Sequence, residues 1–203
     1  ECLDIKQAVL GIFRDGLLLM KGKIMKSFKW IFVLCMTVGY YEYSSAQIAG
    51  FKNFEIVESA PVETTLDNPD VRNAHEVWLE MINNAKRSLD IEQFYISTEP
   101  NEPLEDIINA VVEAGKRGVK VRIIADAGMY KTYPQTLDML GKQKNISVQL
   151  IDYRKISDGV EHAKYFIVDG EQVYLGSQNF DWRALKHIYE LGVHITDKLA
   201  AQT

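Results

Sequence analysis

Beyond residue 53 the chain switches between two hydrophobic periods. Over residues 67–88, Val71, Ala74, Val77, Trp78, Met81, Ile82 and Ala85 recur at steps of three and four, the one-sided stripe of an amphipathic helix. Asp67 and Asn68 followed by Pro69 look like its start, so a helix is expected across that whole stretch. Leu89-Asp-Ile-Glu-Gln-Phe-Tyr-Ile then alternates and is rich in β-formers, which predicts a strand. A second helix is expected over residues 102–116, with Leu104, Ile107, Ile108, Val111 and Val112 inward. Gly115 and Gly118 read as its stop and turn. Strands follow at residues 119–125 and 146–151, with a shorter helix at 136–141 between them, and Phe54-Glu-Ile-Val forms a short strand ahead of them all.

Strand, helix, strand, helix, strand is the pattern of parallel pairing with helices packed on the sheet. The pattern then changes. Two β-rich runs, residues 162–168 and 172–175, flank Asp169-Gly170, a strong hairpin signal, and residues 187–195 read as one more strand. The expected fold class is therefore α/β: a mixed, mostly parallel β-sheet sandwiched by helices.

Composition narrows the function. Apolar residues make up 47% and charged residues 25%, which excludes a disordered or collagen-like chain. Cys2 and Cys35 are the only cysteines, so no thiolate metal site or disulfide framework is available after residue 35. The chain begins with Glu1, and residues 1–24 are set aside as read-through or an artefact. From Met25 a basic start, a short apolar run over residues 30–38 and a small-x-small site at Ser44 and Ala46 read as a signal peptide spanning residues 25–46, with cleavage near Ala46. The run is about half of the ~20 residues of a membrane span, so an exported protein is expected, with no stable membrane anchor. Residues 47–203 carry 17 positive and 24 negative side chains, a net of −7, which argues against broad nucleic-acid coating.

The stretch that carries chemistry is His162-Ala-Lys-Tyr-Phe-Ile-Val-Asp169, then Gly176-Ser-Gln-Asn179, then Glu190. Alternation along a strand puts His162 and Lys164 on one face. An imidazole beside a fixed cation suits attack on a phosphodiester: the ring supplies a nucleophile or proton carrier, and the ammonium holds the non-bridging oxygens. Ser177 and Asn179 add an hydroxyl and an amide from the return of the hairpin. Glu190 interrupts an apolar strand, with Gly192 expected to leave open space beside it, and its carboxylate is suited to orienting an imidazole. Parity places Asp169 opposite His162, as a buttress of the turn. A random chain of this composition shows His-x-Lys-x4-Asp about twice in a hundred.

Those residues resemble the HKD signature of the phospholipase D superfamily. Phe54-Glu-Ile-Val-Glu-Ser-Ala-Pro61, Leu89-Asp-Ile-x-x-Phe-Tyr, Tyr174-Leu-Gly-Ser-Gln-Asn-Phe-Asp-Trp-Arg183 and Glu190-Leu-Gly-Val extend the likeness to the first half of the lysosomal phospholipase D-like 5′-exonuclease branch, over roughly residues 51–197. The domain is accordingly drawn as residues 47–203, with its motif region at residues 156–183.

The resemblance implies a cofactor-free, metal-independent transfer through a covalent phosphohistidine. It makes His162, Lys164 and Asp169 the catalytic signature, Lys164, Ser177 and Asn179 the phosphate-binding set, and Glu190 an orienting residue. Phospholipid is the favoured substrate on this reading, single-stranded nucleic acid the alternative, and an inactive interaction scaffold the second alternative. The family site needs two His-Lys pairs, and this chain has one, so the second is expected from a missing half of a C-terminally truncated chain, or from a homodimer partner. His75, His187 and His194 lack a lysine two positions on and read as structural. Lys116, Arg117, Lys120 and Arg122 read as a helix end and a solvated strand face, Trp78 as core, and Trp182 as either packing or a wall of the pocket.

Overall fold

A computed structural model describes residues 53–202. The expected read-through segment and signal peptide, residues 1–24 and 25–46, lie outside the described residues.

The described chain runs β1 (Phe54–Ser59), β2 (Arg72–Asn73), α1 (Ala74–Asn84), β3 (Ser88–Gln93), β4 (Ile96–Ser97), α2 (Pro103–Arg117) and β5 (Lys120–Asp126). It continues with α3 (Ala127–Tyr130), α4 (Gln135–Leu140), β6 (Ile146–Ile151), α5 (Arg154–Ser157), β7 (Lys164–Val168), β8 (Gln172–Gly176), β9 (Phe180–Asp181) and β10 (Glu190–Thr196). Eight strands form one mixed sheet in the order β2-β1-β10-β8-β7-β3-β5-β6, and β4 and β9 pair beside it as a small parallel ribbon. The β3-β5-β6 wing is parallel, as the strand-helix alternation demands, while the centre from β3 through β7, β8 and β10 to β1 is antiparallel.

Helix α2 matches its sequence signals. Pro103 stands in the first turn, where its missing N–H costs nothing, and Gly118 closes the helix with a left-handed φ of 97°. Helix α1 is shorter than expected, because the residues ahead of it are spent on the sheet. The backbone N–H and side-chain amide of Asn68 donate to Glu58 at 2.6 and 2.7 Å, and Arg72–Asn73 pairs in parallel with β1. Asp67, Asn68 and Pro69 therefore shape a turn, and the helix starts at Ala74.

The core lies between the sheet and helices α1 and α2. Trp78 is fully buried there, its ring centre 4.7 Å from Phe180, 5.2 Å from Tyr174 and 6.0 Å from Phe166. Truncating such a residue to Ala costs about 3–5 kcal/mol. Through Phe166 and Tyr174 this aromatic cluster fixes β7 and β8, the hairpin that carries the candidate chemistry. On the opposite sheet face Ile56, Leu175 and Leu191 are about half exposed.

Candidate active site

Strand β7 begins at Lys164, two residues later than the alternation suggested, and His162 sits in the extended segment just before it. That segment is still pinned, since the Phe94 N–H donates to the carbonyl of Ala163 at 2.9 Å. The expected pair forms. Lys164 Nζ lies 3.1 Å from Nε2 and 3.3 Å from Nδ1 of His162, and donates to the His162 carbonyl at 3.2 Å. The imidazole is exposed, with the Phe94 ring 4.7 Å away and nearly perpendicular to it. Lys164 is 8% exposed, and its burial lowers its pKa against the opposing pull of Glu190.

Glu190 opens β10, next to the Ser177–Asn179 loop. Burial raises its carboxyl pKa, offset in part by a hydrogen bond from Ser177 and by the charge of Lys164. Its Oε2 atom is buried with no hydrogen-bond partner, and so is Oδ1 of Asn179. Unpaired buried acceptors are costly, and their concentration here marks a site built to receive further donors. Ser177 is exposed, and its hydroxyl also reaches the Leu191 carbonyl at 3.3 Å.

Two further positions are decided by the geometry. Asp169 takes the place of a turn buttress that strand parity gave it, and does not join the pair as its membership of the signature implied. It lies at the far end of β7, some 17 Å of strand away at ~3.3 Å per residue. There its carboxylate accepts from the backbone N–H groups of Lys86, Arg87 and Ser88 at 3.0, 2.6 and 2.9 Å. Burial pushes its pKa up, but these three donors outweigh it and hold the group below its ordinary value. Asp169 and Gly170, with φ of 57° and 65°, make the tight turn that the Asp-Gly signal announced, and the carboxylate fastens that turn to the α1–β3 connection. The space beside Gly192 is not open either. The Tyr174 hydroxyl fills it and donates to Gln178 Oε1 at 2.8 Å.

Several contributors escaped sequence reasoning. Gln178 is fully buried between the two glycines, and buried Gln93 accepts from the Phe180 N–H at 3.2 Å, tying the site loop to β3. The signal for Gln93 was a polar residue in the inward register of Leu89 and Ile91. Trp182 packs edge-on against His187 at 5.5 Å. His187 and His194 pair with Glu63 and Glu55 at 2.5 and 3.2 Å, and His75 Nε2 lies 3.3 Å from Asp106 without a hydrogen bond to it. Arg117 caps the carbonyls of Ile82 and Asn83 at 3.1 Å, and Arg122 is held by Asp90, so neither forms a phosphate patch.

With an imidazole and an ammonium side by side at a strand end, and a carboxylate and an amide close by, the family comparison decides the assignment. Residues 78–203 match the family described as cardiolipin synthase, PLD-like domain. The chain belongs to the phospholipase D-like family. This PLD-like domain is 35% identical over 154 residues to phospholipase D Z of Dictyostelium discoideum, covering 70% of this chain and 35% of that protein. It is 33% identical over 156 residues to the 5′-3′ exonuclease PLD3 of Xenopus laevis, covering 70% and 31%. The chain thus spans about a third of the length of these curated relatives. Among solved structures it resembles NucT from Helicobacter pylori, with a TM-score of 0.59 and 25% identity, covering 73% of this chain and 89% of that one. The PLD-like domain is thereby a member of a superfamily of phosphodiesterases.

Proposed function

We propose that the chain supplies one half-site of an exported phosphodiesterase that works through a covalent phosphohistidine at His162. The observation that carries this reading is the Lys164 ammonium held 3.1 Å from an exposed imidazole. A ring nitrogen of His162 attacks phosphorus, and the bond from phosphorus to the leaving oxygen breaks. That oxygen takes its proton from a second imidazole. Water then attacks the phosphohistidine, the N–P bond breaks, and the second imidazole takes the proton from the water. Lys164 and the Asn179 amide balance charge on the non-bridging oxygens throughout.

The second imidazole comes from another half-site, either a second copy of this chain or a second His-x-Lys motif in a longer one. Glu190, with one buried oxygen unpartnered, is suited to receive its N–H. Relatives of both kinds, phospholipase D and exonuclease, support the phosphodiester as the group attacked.

The test is to quench a reaction on a labelled phosphodiester and look for an acid-labile, base-stable phosphoprotein. It is expected in the parent protein and absent in His162→Ala, and EDTA is expected to leave the rate of bis(4-nitrophenyl) phosphate hydrolysis unchanged. Labelling that persists in His162→Ala overturns the assignment. Specific activity that rises with protein concentration identifies the second half-site as another copy.

A further inference from the structure

Beside the reactive pair the surface turns aromatic. The Phe94 ring, already 4.7 Å from His162, is followed by Tyr95 at 5.6 Å, and Tyr133 stacks on Tyr95 at 4.9 Å with the two planes only 22° apart. Tyr133 arrives from a connection nearly forty residues further along the chain, so this run is assembled by the fold. It is also braced. Asp181 on β9 accepts from Tyr95 and binds Arg183 through two nitrogens, and Arg183 in turn donates to Tyr133.

Past Tyr133 lies a recess of about 440 Å³. Apart from Ile96 and Tyr133, its walls are Ser97, Thr98, Glu99, Thr132, Gln135 and Thr136, all hydrogen-bonding side chains. The Thr98 hydroxyl oxygen is buried and has no partner. These residues include no cation, and Glu99 repels a phosphate, so the recess is not a second anion site. An acyl chain asks for a continuous apolar wall, which this recess lacks. A flat ring with a polar edge fits both parts: its face stacks on a tyrosine, and its edge finds hydroxyls, an amide and a carboxylate that accepts from an exocyclic amine.

We infer that the Phe94–Tyr95–Tyr133 run and the recess behind it form a nucleobase subsite, so that the phosphodiester brought to His162 belongs to single-stranded nucleic acid. This inference rests on the His162–Lys164 pair being the phosphoryl site, and it assigns the substrate class of that site. The division of labour suits an acidic protein, because the phosphate is met by one buried cation and the strand is held by base stacking. Affinity then depends on the presence of bases more than on backbone charge.

The experiment measures fluorescence anisotropy with a 3′-labelled oligodeoxycytidine octamer and with an abasic octamer of equal charge. Sedimentation with phosphatidylglycerol vesicles and hydrolysis of bis(4-nitrophenyl) phosphate run alongside. The cytidine octamer is expected to bind about tenfold more tightly than the abasic one. Tyr133→Leu should erase that difference and Tyr133→Phe keep it, with both variants melting as cooperatively as the parent. Equal binding of the two octamers overturns the subsite, as does a Tyr133→Leu variant that still tells them apart. Vesicle binding that depends on Tyr133, with octamer binding independent of it, overturns it in favour of lipid. If parent and His162→Ala proteins hydrolyse the small substrate equally, the phosphohistidine reading fails, while the octamer comparison still decides the subsite.

Discussion

The ammonium of Lys164 lies within 3.3 Å of both ring nitrogens of His162 and also donates to that residue's own carbonyl. An arriving phosphate must draw it away from those acceptors, and the exchange is favourable only while the amine is charged. Because burial lowers its pKa, the rate is expected to fall on an alkaline limb below the ordinary lysine range. Lys164→Arg, which stays charged, should move that limb to higher pH, even with a lower maximum rate. A pH–rate profile for the two proteins checks this, and coincident limbs would assign the titration to another group.

Glu190→Gln should separate stability from activity. Burial raises the folded-state pKa of this carboxyl above its unfolded value. The stability linked to its protonation is therefore fully present below the unfolded pKa of ~4.3 and lost as pH rises through the folded value. The neutral amide removes that loss, so the variant should melt higher than the parent at pH 7–8, with the gap closing towards pH 4. Its turnover should drop roughly 10- to 100-fold, because an amide supports an imidazolium poorly. Melting curves at several pH values, with turnover at one, are sufficient.

Asp169→Asn tests the opposite case. A carboxylate held below its ordinary pKa by three backbone donors contributes stability above the unfolded value of ~3.9 and loses it as pH falls through the folded value. The substitution should cost about 1–2 kcal/mol at neutral pH and progressively less in acid. The rate per folded molecule should stay near that of the parent. A loss of turnover as deep as that of His162→Ala would return Asp169 to the reaction.

Gly192→Ala places a methyl group against the Tyr174 ring and hydroxyl, and within 3.1 Å of Gln178 Oε1. Overpacking of this kind costs about 1–3 kcal/mol. The strain falls on the Tyr174–Gln178 hydrogen bond, next to the Ser177–Asn179 loop, so turnover should decline along with the melting temperature. Tyr174→Phe removes the crowding hydroxyl and should restore part of the lost stability in the double variant.

How much of this was legible follows from how local each feature is. Helix α2 was readable because its stripe, its early proline and its closing glycine all lie within sixteen residues. The His162–Lys164 pair was readable for the same reason, being two residues apart on extended chain. The start of α1 misled, since Asn68 is as suited to bridging Glu58 on a neighbouring strand as to capping a helix. Gly192 misled too: the absence of its own side chain was visible in the sequence, but Tyr174 leaning across from β8 was not. The aromatic run and the recess left no mark at all, because residues near 95 and 133 meet only once the β4–β9 ribbon and α4 are in place.

Strand β10 imposes an order of events on the newly made chain. The hairpin that bears Lys164 closes between neighbours, with Val168 opposite Gln172, and β10 reaches β8 through a short connection, with Gly192 opposite Gly176. The other edge of β10 is aligned with β1, Glu190 opposite Ser59, more than a hundred residues earlier. Closing the larger loop loses more chain entropy, which delays it during folding. A refolding molecule should therefore gather its cation, imidazole and carboxylate on β7, β8 and β10 as one local unit, and receive β1 last.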